Sequence, residues 1–353
     1  MTAHADAEER IIALDGMGGD RAPDAVVEAA ATITRSTRIR LLLCGDGPRL
    51  DGLLQRAGAD RSRIDLLHAP DAVPMGEDPQ QAVQRVRSSL AVAAAAVAAG
   101  RADALVTAGN TGATLLHAAR AIPRIAGIRR TALAAVYPTL PRPHNADPFA
   151  LLLDVGANVR SRAEDLVHFA HMGVAYSAAI SKVARPTVGL LNIGTEASKG
   201  DETLRAAHAL LADSPRIDFR GNVEGKDISL GAVDVIVCPG VLGNVALKLL
   251  ESMGDVVLTL GEDVFRRRLS WRAGRWLLRG GIARLMNLVD YTSYGGAPIL
   301  GFERIVIKAH GRSDARALEN AIKVAAKAVR ADVCGRIAAG VAAFARSREA
   351  AAP

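Results

Sequence analysis

Short apolar runs alternate with longer stretches of helical periodicity almost to the end of the chain. The runs Arg10–Asp15, Arg40–Cys44, Ile64–His68, Ala102–Thr107, Thr131–Tyr137, Phe149–Asp154, Val188–Ile193, Asp218–Arg220, Asp234–Cys238 and Glu303–Lys308 predict strands, most of them apolar enough to be buried on both faces. Between them the pattern predicts helices over about Pro23–Thr34, Gly47–Ala57, an alanine-rich segment ending at Gly100, Thr111–Ile122, Ala163–Val183, Glu202–Ala212, Leu242–Leu260 and Asp314–Val329. Such alternation implies parallel strands joined by crossover helices, an αβα sandwich with a mostly parallel sheet. We expect one α/β domain over residues 10–342, with flexible tails at 1–9 and 343–353.

Ligands in such sheets bind outside the carboxyl ends of the strands, so the loops after the strands carry the candidate chemistry. The stretch Thr187–Glu202 is the fullest example. A buried strand ends at Asn192 and Gly194, a polar loop carries Lys199, and a helix follows. That layout brings backbone N–H groups and a helix N-terminus to one place, where an anion is held. An ordinary turn with Asp201 or Ser198 as helix cap accounts for that loop equally well. The other loops weigh against so plain a reading. Of eight asparagines, Asn110, Asn158, Asn192, Asn222 and Asn244 all lie in them, each within two residues of a glycine. Neutral amides and bare N–H groups can hold a phosphate and polarise a carbonyl without many buried charges. Candidate phosphate- or substrate-binding positions are therefore Gly109, Asn110, Thr111, Gly112, Asn158, Gly194, Asn222, Gly243 and Asn244. No loop carries GxxxxGK[ST] or GxGxxG, so a nucleotide is not indicated.

Composition narrows the class. The chain has 353 residues, half of them apolar but only 3% aromatic, so its core is built from Ala, Val, Leu and Ile. Cys44, Cys238 and Cys334 lack CxxC spacing, which argues against a disulfide framework or zinc site and suits a reducing cytoplasm. The polar N-terminus is unlike a signal peptide, and no stretch is long and apolar enough for a membrane span.

Seven blocks then share one resemblance. DGMGGDRAP (Asp15–Pro23), TAGNTGA (Thr107–Ala113), LLDVGANV (Leu152–Val159), LNIGTEASKGDE (Leu191–Glu202), GNVEGKDI (Gly221–Ile228), YGGAPILG (Tyr294–Gly301) and IKAHGRSD (Ile307–Asp314) resemble, in order, the PlsX family of phosphate acyltransferases. The resemblance implies transfer of a fatty acyl group from the thioester of acyl-carrier protein to inorganic phosphate, for phospholipid synthesis. It further implies a homodimer without metal or cofactor, a fold similar to phosphotransacetylase and the isocitrate dehydrogenase group, and a membrane-bound glycerol-phosphate acyltransferase as a downstream partner. Phosphate held near the carbonyl attacks a thioester directly, so no covalent nucleophile is needed. Lys199 and Asn192 are the expected charge and amide at the reacting groups, and His310 either handles a proton or is simply a loop residue before the helix cap at Ser313 and Asp314. Asp15 and Asp20 are expected to orient amides or to cap the first helix, capping being the reading for Asp20, and Asp154 either to contact the ligand directly or to support the residues that do. The chain departs from the family at Pro239 and Arg21, where an acid and a histidine are usual, at Asp201 in place of asparagine, and in a thinned basic run, Gln84–Ser89.

Residues 261–290 break the strand–helix rhythm. Both tryptophans fall here, with seven arginines against three acids, a net +4 of the chain's total of +7. Apolar and basic residues recur at helical spacing, and Gly280-Gly281 interrupts them, which predicts a protruding amphipathic hairpin. Phe265, Leu269, Trp271, Trp276, Leu277, Ile282 and Met286 are the expected contacts with a dimer partner or an anionic membrane surface. The same arginines suit the acidic carrier protein; nucleic acid is not expected. The reading is of a cytoplasmic enzyme peripherally attached to the inner face of the cell membrane. Coenzyme A as the donor and a scaffold that has lost activity stand as alternatives.

Overall fold

A computed structural model describes residues 9–140, 148–266 and 295–351, and between the last two 268, 270, 271, 274 and 276–282. Its centre is an eleven-stranded sheet. The strands are β1 (Ile11–Asp15), β2 (Arg40–Gly45), β3 (Ile64–His68), β4 (Ala104–Thr107), β5 (Ala132–Pro138), β6 (Phe149–Leu153), β7 (Thr187–Leu191), β8 (Asp218–Val223), β9 (Val235–Val237), β10 (Ala297–Leu300) and β11 (Ile305–Lys308). Their order across the sheet is β3-β2-β1-β4-β11-β10-β5-β6-β9-β7-β8.

The sheet is mostly parallel, with an exception that matters for function. The first five strands in that order run parallel, and so do the last four. In the middle, β10 is antiparallel to both β11 and β5, and β5 is antiparallel to β6. The two parallel sets therefore point in opposite directions. The mostly parallel sheet agrees with the expectation from the sequence, but the alternation did not reveal β10. That strand has four residues, includes Pro298, and is held by its neighbours rather than by a pattern of its own.

The register explains how loops from opposed strands meet. Lys308 pairs with Ala297, and Ile299 with Leu133, so Ala297 falls level with Ala135, which pairs with Leu152. The last residues of β11 and of β6 thus lie in nearly the same row, with two strands between them. The loops that follow them converge over β10 and β5.

Helices cover both faces. On one lie α1 (Asp24–Ser36), α2 (Gly47–Arg56), α6 (Ala163–Tyr176), α7 (Glu202–Ala212), α10 (Ala315–Arg330) and α11 (Val333–Ala351). On the other lie the short α3 (Pro79–Ala82) and α8 (Gly225–Leu230), with α4 (Ser89–Ala98), α5 (Thr111–Ala121) and α9 (Gly240–Arg266). Alanines dominate the helix faces against the sheet, as the scarcity of aromatics requires. Residues 343–351, expected as tail, continue α11: Phe344 is buried and stands edge-on to His168 of α6 at 6.0 Å between ring centroids. Its packing holds the last turns in place.

Candidate active site

A cavity of about 400 Å3 opens over β10 and β5, between α5 and α9. Its polar end is formed by Thr111 and Gly112 at the start of α5, Asn244 in the first turns of α9, Lys308, and His310. Its other wall is mostly aliphatic, with Leu115, Leu133, Ala135, Val136, Val155, Leu247 and Ala297, and it also carries the Lys248–Glu251 ion pair of α9. The N-terminus of α5 therefore faces this space, and α9 borders it from Asn244, one turn past its own start. The first amides of a helix have no intrahelical acceptor and carry the positive end of the helix dipole, so the start of α5, with Lys308 beside it, favours an anion.

A buried polar cluster supports that end from below. Asp15 ends β1 and is fully enclosed; Ser89 Oγ donates to its Oδ1 at 2.5 Å and Thr107 Oγ1 to its Oδ2 at 2.7 Å. Burial pushes the Asp15 carboxyl above the ordinary range, and these donors oppose the shift. Gly18 has no alternative here, because a Cβ would lie 2.2 Å from Asp15 Oδ2. Lys308 is buried beside this carboxylate. Its Nζ donates to the carbonyls of Ala108, at 3.3 Å, and Ala309. It thereby ties the loop after β4 to the loop after β11, the two that carry Thr111 and His310. Burial lowers its pKa to about 8, with Asp15 and Asp20 pulling the other way. A lysine at the wall of a cavity, its pKa lowered by burial, is a candidate functional group that the spacing of the sequence does not mark. Its signal was a lysine at the very end of an apolar strand.

His310 accepts a hydrogen bond at Nδ1 from the Arg312 N–H, at 3.2 Å. The neutral ring therefore carries its proton on Nε2. Burial lowers its pKa, helped by the positive charges of Lys308, Arg312 and Lys248 against Glu251. The ring is an uncharged donor at neutral pH.

On the other side of the cavity Asp154 organises the loop after β6. Its Oδ1 accepts from the N–H groups of Leu133 (3.0 Å), Gly156 (3.1 Å) and Ala157 (2.9 Å). Its Oδ2 accepts from the Asn158 N–H and side-chain amide, both at 2.8 Å. Burial still raises its pKa against these five donors. The start of α9 lies tight on this loop. A Cβ on Gly243 would come within 2.0 Å of the Asp154 carbonyl oxygen, and one on Gly240 within 2.3 Å of the Asn158 carbonyl oxygen. Gly240 and Gly243 are there so that Asn244 can reach the cavity.

The predicted positions separate accordingly. Thr111, Gly112, Asn244 and His310 line the cavity. Four of the five loop asparagines instead bind their own surroundings. Asn110 caps α5 through the Ala113 N–H and donates to the carbonyls of Met75 and Glu77. Asn158 donates to Thr131 as well as Asp154. Asn192 spans its loop from the Ile193 N–H to the Lys199 carbonyl, and Asn222 donates to the Glu196 carbonyl. Gly109 donates through its N–H to Thr107 Oγ1 and is packed on Asp15. Asn244 alone of the five makes no side-chain hydrogen bond to the described residues. Lys199 is exposed and lies over Gly194 at the end of β7, outside the cavity wall. Asp20 does not cap α1, whose N-cap is Pro23 without a side-chain bond. Its N–H donates instead to the Gly311 carbonyl at 2.8 Å.

Helix α9 runs far beyond the cavity, about 40 Å at the α-helical rise for its 27 residues. Leu242, Val245, Leu249, Met253, Val256, Leu260 and Val264 are all exposed at spacings of three and four, one apolar stripe left open among the described residues. Past it, Trp271, Trp276 and Leu277 are exposed, and Arg268 and Arg279 lie 4.9 and 5.2 Å over the two indole rings. Phe265 and Ile282 are half-buried, whereas Leu269 and Met286 lie outside the described residues. Among the described residues, no helix is long and apolar enough to cross a membrane.

Comparison with known proteins identifies the fold first. A phosphotransacetylase from Streptococcus pyogenes superposes with a TM-score of 0.61 over 92% of this chain and 94% of its own, at 17% identity. The EutD phosphotransacetylase from Staphylococcus aureus does so with 0.60 over 92% and 95%, at 16% identity. The architecture is thus that of the phosphotransacetylases. In sequence, the profile described as fatty acid synthesis protein matches residues 11–336. A phosphate acyltransferase of Moorella thermoacetica is 43% identical over 322 residues, covering 90% of this chain and 92% of the relative. One from Heliobacterium modesticaldum is 40% identical over 320 residues, covering 90% and 93%. The chain belongs to the fatty acid synthesis protein family, the PlsX family, and is an acyltransferase.

Proposed function

We propose that the protein transfers a fatty acyl group from the thioester of acyl-carrier protein to inorganic phosphate. The observation that carries this reading is the joining, in one cavity, of an anion-favouring end and an aliphatic wall. Phosphate sits between the starts of α5 and α9, against Lys308, Asn244 and His310. The acyl chain lies along the aliphatic wall, which brings the thioester carbonyl to the phosphate. A phosphate oxygen attacks the carbonyl carbon, the C–S bond breaks, and the phosphate's proton passes to the carrier thiolate, leaving acyl phosphate and free carrier. His310 Nε2–H and the helix-start amides donate to the charge that builds up on oxygen. Holding the two reactants together supplies most of the rate.

The loops after β7 and β8, with Asn192, Gly194, Lys199 and Asn222, are our candidate contact for the part of the donor that stays outside the cavity. Lys199→Ala is then expected to raise KM for the acyl donor more than it lowers kcat. A kcat loss at unchanged KM would move Lys199 to the chemical step. The stripe on α9 suits a second copy of the chain. The Trp271–Ile282 tip suits an anionic membrane at the inner face of the cell, where a membrane-bound glycerol-phosphate acyltransferase would take up the product. Trp276→Glu is expected to weaken sedimentation with phosphatidylglycerol vesicles by about tenfold, on the order of 1.4 kcal/mol; unchanged binding would exclude the tip.

The deciding experiment incubates the protein and phosphate with palmitoyl thioesters of carrier protein and of coenzyme A, and traps acyl phosphate with hydroxylamine. Product from the carrier thioester is expected. Product from the coenzyme A thioester alone would replace the donor, and none from either would overturn the reading.

A further inference from the structure

One cross-strand row lies directly beneath the cavity. It runs Lys308 (β11), Ala297 (β10), Ala135 (β5), Leu152 (β6), the first and last pairs recorded as partners and the middle one level in the same register. The neighbouring row is Val306, Ile299, Leu133. Side chains of paired residues share a face, so these rows present one surface to the cavity. Every member of the second row is large. In the first, the two central members are alanines, and both line the cavity. Strand alternation fixes which face they occupy: Leu133, Ala135 and Tyr137 pack on the cavity side and Ala134 with the opposite core, where Val136 packs too while also bordering the cavity.

The consequence is a shallow trough in an otherwise bulky floor. It runs from Lys308 across Ala297 to Ala135, two inter-strand steps or about 10 Å, with Leu152 next in the row. Leu115 of α5 and Leu247 of α9 wall it on both sides. Nothing polar lies between the polar end and Leu152 in this row. An aliphatic chain extending from a carbonyl held near Lys308 and His310 meets the methyl groups of Ala297 and Ala135 on the floor and the side chains of Leu115 and Leu247 on the walls.

We propose that this trough seats the acyl chain of the donor, and that Ala135 and Ala297 set the longest chain the enzyme accepts. The proposal rests on the acyl-transfer reading above and adds the residues that determine specificity. A larger side chain at either alanine closes the trough midway and leaves its first part, next to the polar end, open. Long chains then lose their seat while short ones keep theirs.

The test uses the full-length protein, a series of acyl thioesters from butanoyl to palmitoyl, and displacement of a fluorescent fatty acid by palmitate as a readout independent of turnover. Ala135→Leu is expected to lower kcat/KM for palmitoyl relative to butanoyl thioester at least about tenfold, as misfit of a methylene or more in an apolar pocket does. Palmitate affinity should fall in step. Because a larger residue in the sheet can disturb folding, Leu247→Phe fills the trough from the opposite wall, on a half-buried helix position, and is expected to shift the profile in the same direction. Equal loss for every chain length in both variants, with normal thermal unfolding, would overturn the proposal. So would an unchanged profile, or wild-type protein that binds no palmitate. If wild type binds palmitate in an Ala135-dependent way yet makes no acyl phosphate, the acyl seat stands and the reaction assigned above falls.

Discussion

Lys308→Met is expected to lower kcat for acyl phosphate formation by about a hundredfold, the usual cost of removing one preorganised charge or donor from the reacting oxygens. Methionine keeps the aliphatic stem and the packing but deletes the ammonium that faces the cavity and the two carbonyls it binds. The wild-type pH profile carries the same signature. The ammonium is the active form, so activity should decline as pH rises through about 8, the value to which burial lowers this lysine. Asp15 is the main charge opposing that shift. Asp15→Asn is therefore expected to move the alkaline limb to lower pH. Stability behaves oppositely. Between about 8 and the ordinary lysine value of 10.5 the unfolded chain binds the proton that the folded one has released, so this residue makes stability rise with pH over that window. Subtracting the Lys308→Met profile from wild type isolates the effect. An alkaline limb that persists unchanged in Lys308→Met would remove Lys308 from the chemistry.

Asp154→Ala is expected to be the most destabilising single change near the site, by about 4 kcal/mol, read as a lower urea midpoint at constant slope. The substitution leaves five donors, four of them backbone N–H groups, without the oxygens that accept from them. Asp154→Asn should cost distinctly less, because one amide oxygen still accepts. The loop concerned underlies the start of α9, so Asp154→Asn should also lower activity more than its stability loss explains. If Asp154→Ala unfolded at the wild-type midpoint, the loop would be held by something other than this carboxylate.

Much of the fold was legible because parallel strands buried on both faces leave continuous apolar runs, and crossover helices leave a period near four. Ten of the eleven strands follow from those two signals. The exception, β10, is short and contains a proline, and it gains its place only by filling the gap between β11 and β5. The site was legible as a set of loops, but not as a geometry. Asparagine beside glycine marks both a ligand-binding loop and a self-bonded turn. In Asn110, Asn158, Asn192 and Asn222 the local hydrogen bonds took the side chain; in Asn244 none did. Lys199 drew notice because it lies in a conspicuously polar loop. Lys308 did not, because it closes an apolar strand.

By itself, the sequence determined that the protein is an α/β sandwich with an alanine-rich core, and, through seven ordered blocks, which family it belongs to; it also marked the loops after the strands as the candidate site. These are properties of local pattern and local identity. Only the tertiary structure decided that β5 and β10 turn the sheet's second half against the first. That reversal sets the ends of β11 and β6 in nearly one row and brings the starts of α5 and α9 to one cavity. It also places a lysine, a neutral histidine and two alanines on the cavity's wall and floor. Cross-strand register and helix position arise from pairing between distant segments, and the spacing along one strand does not encode them.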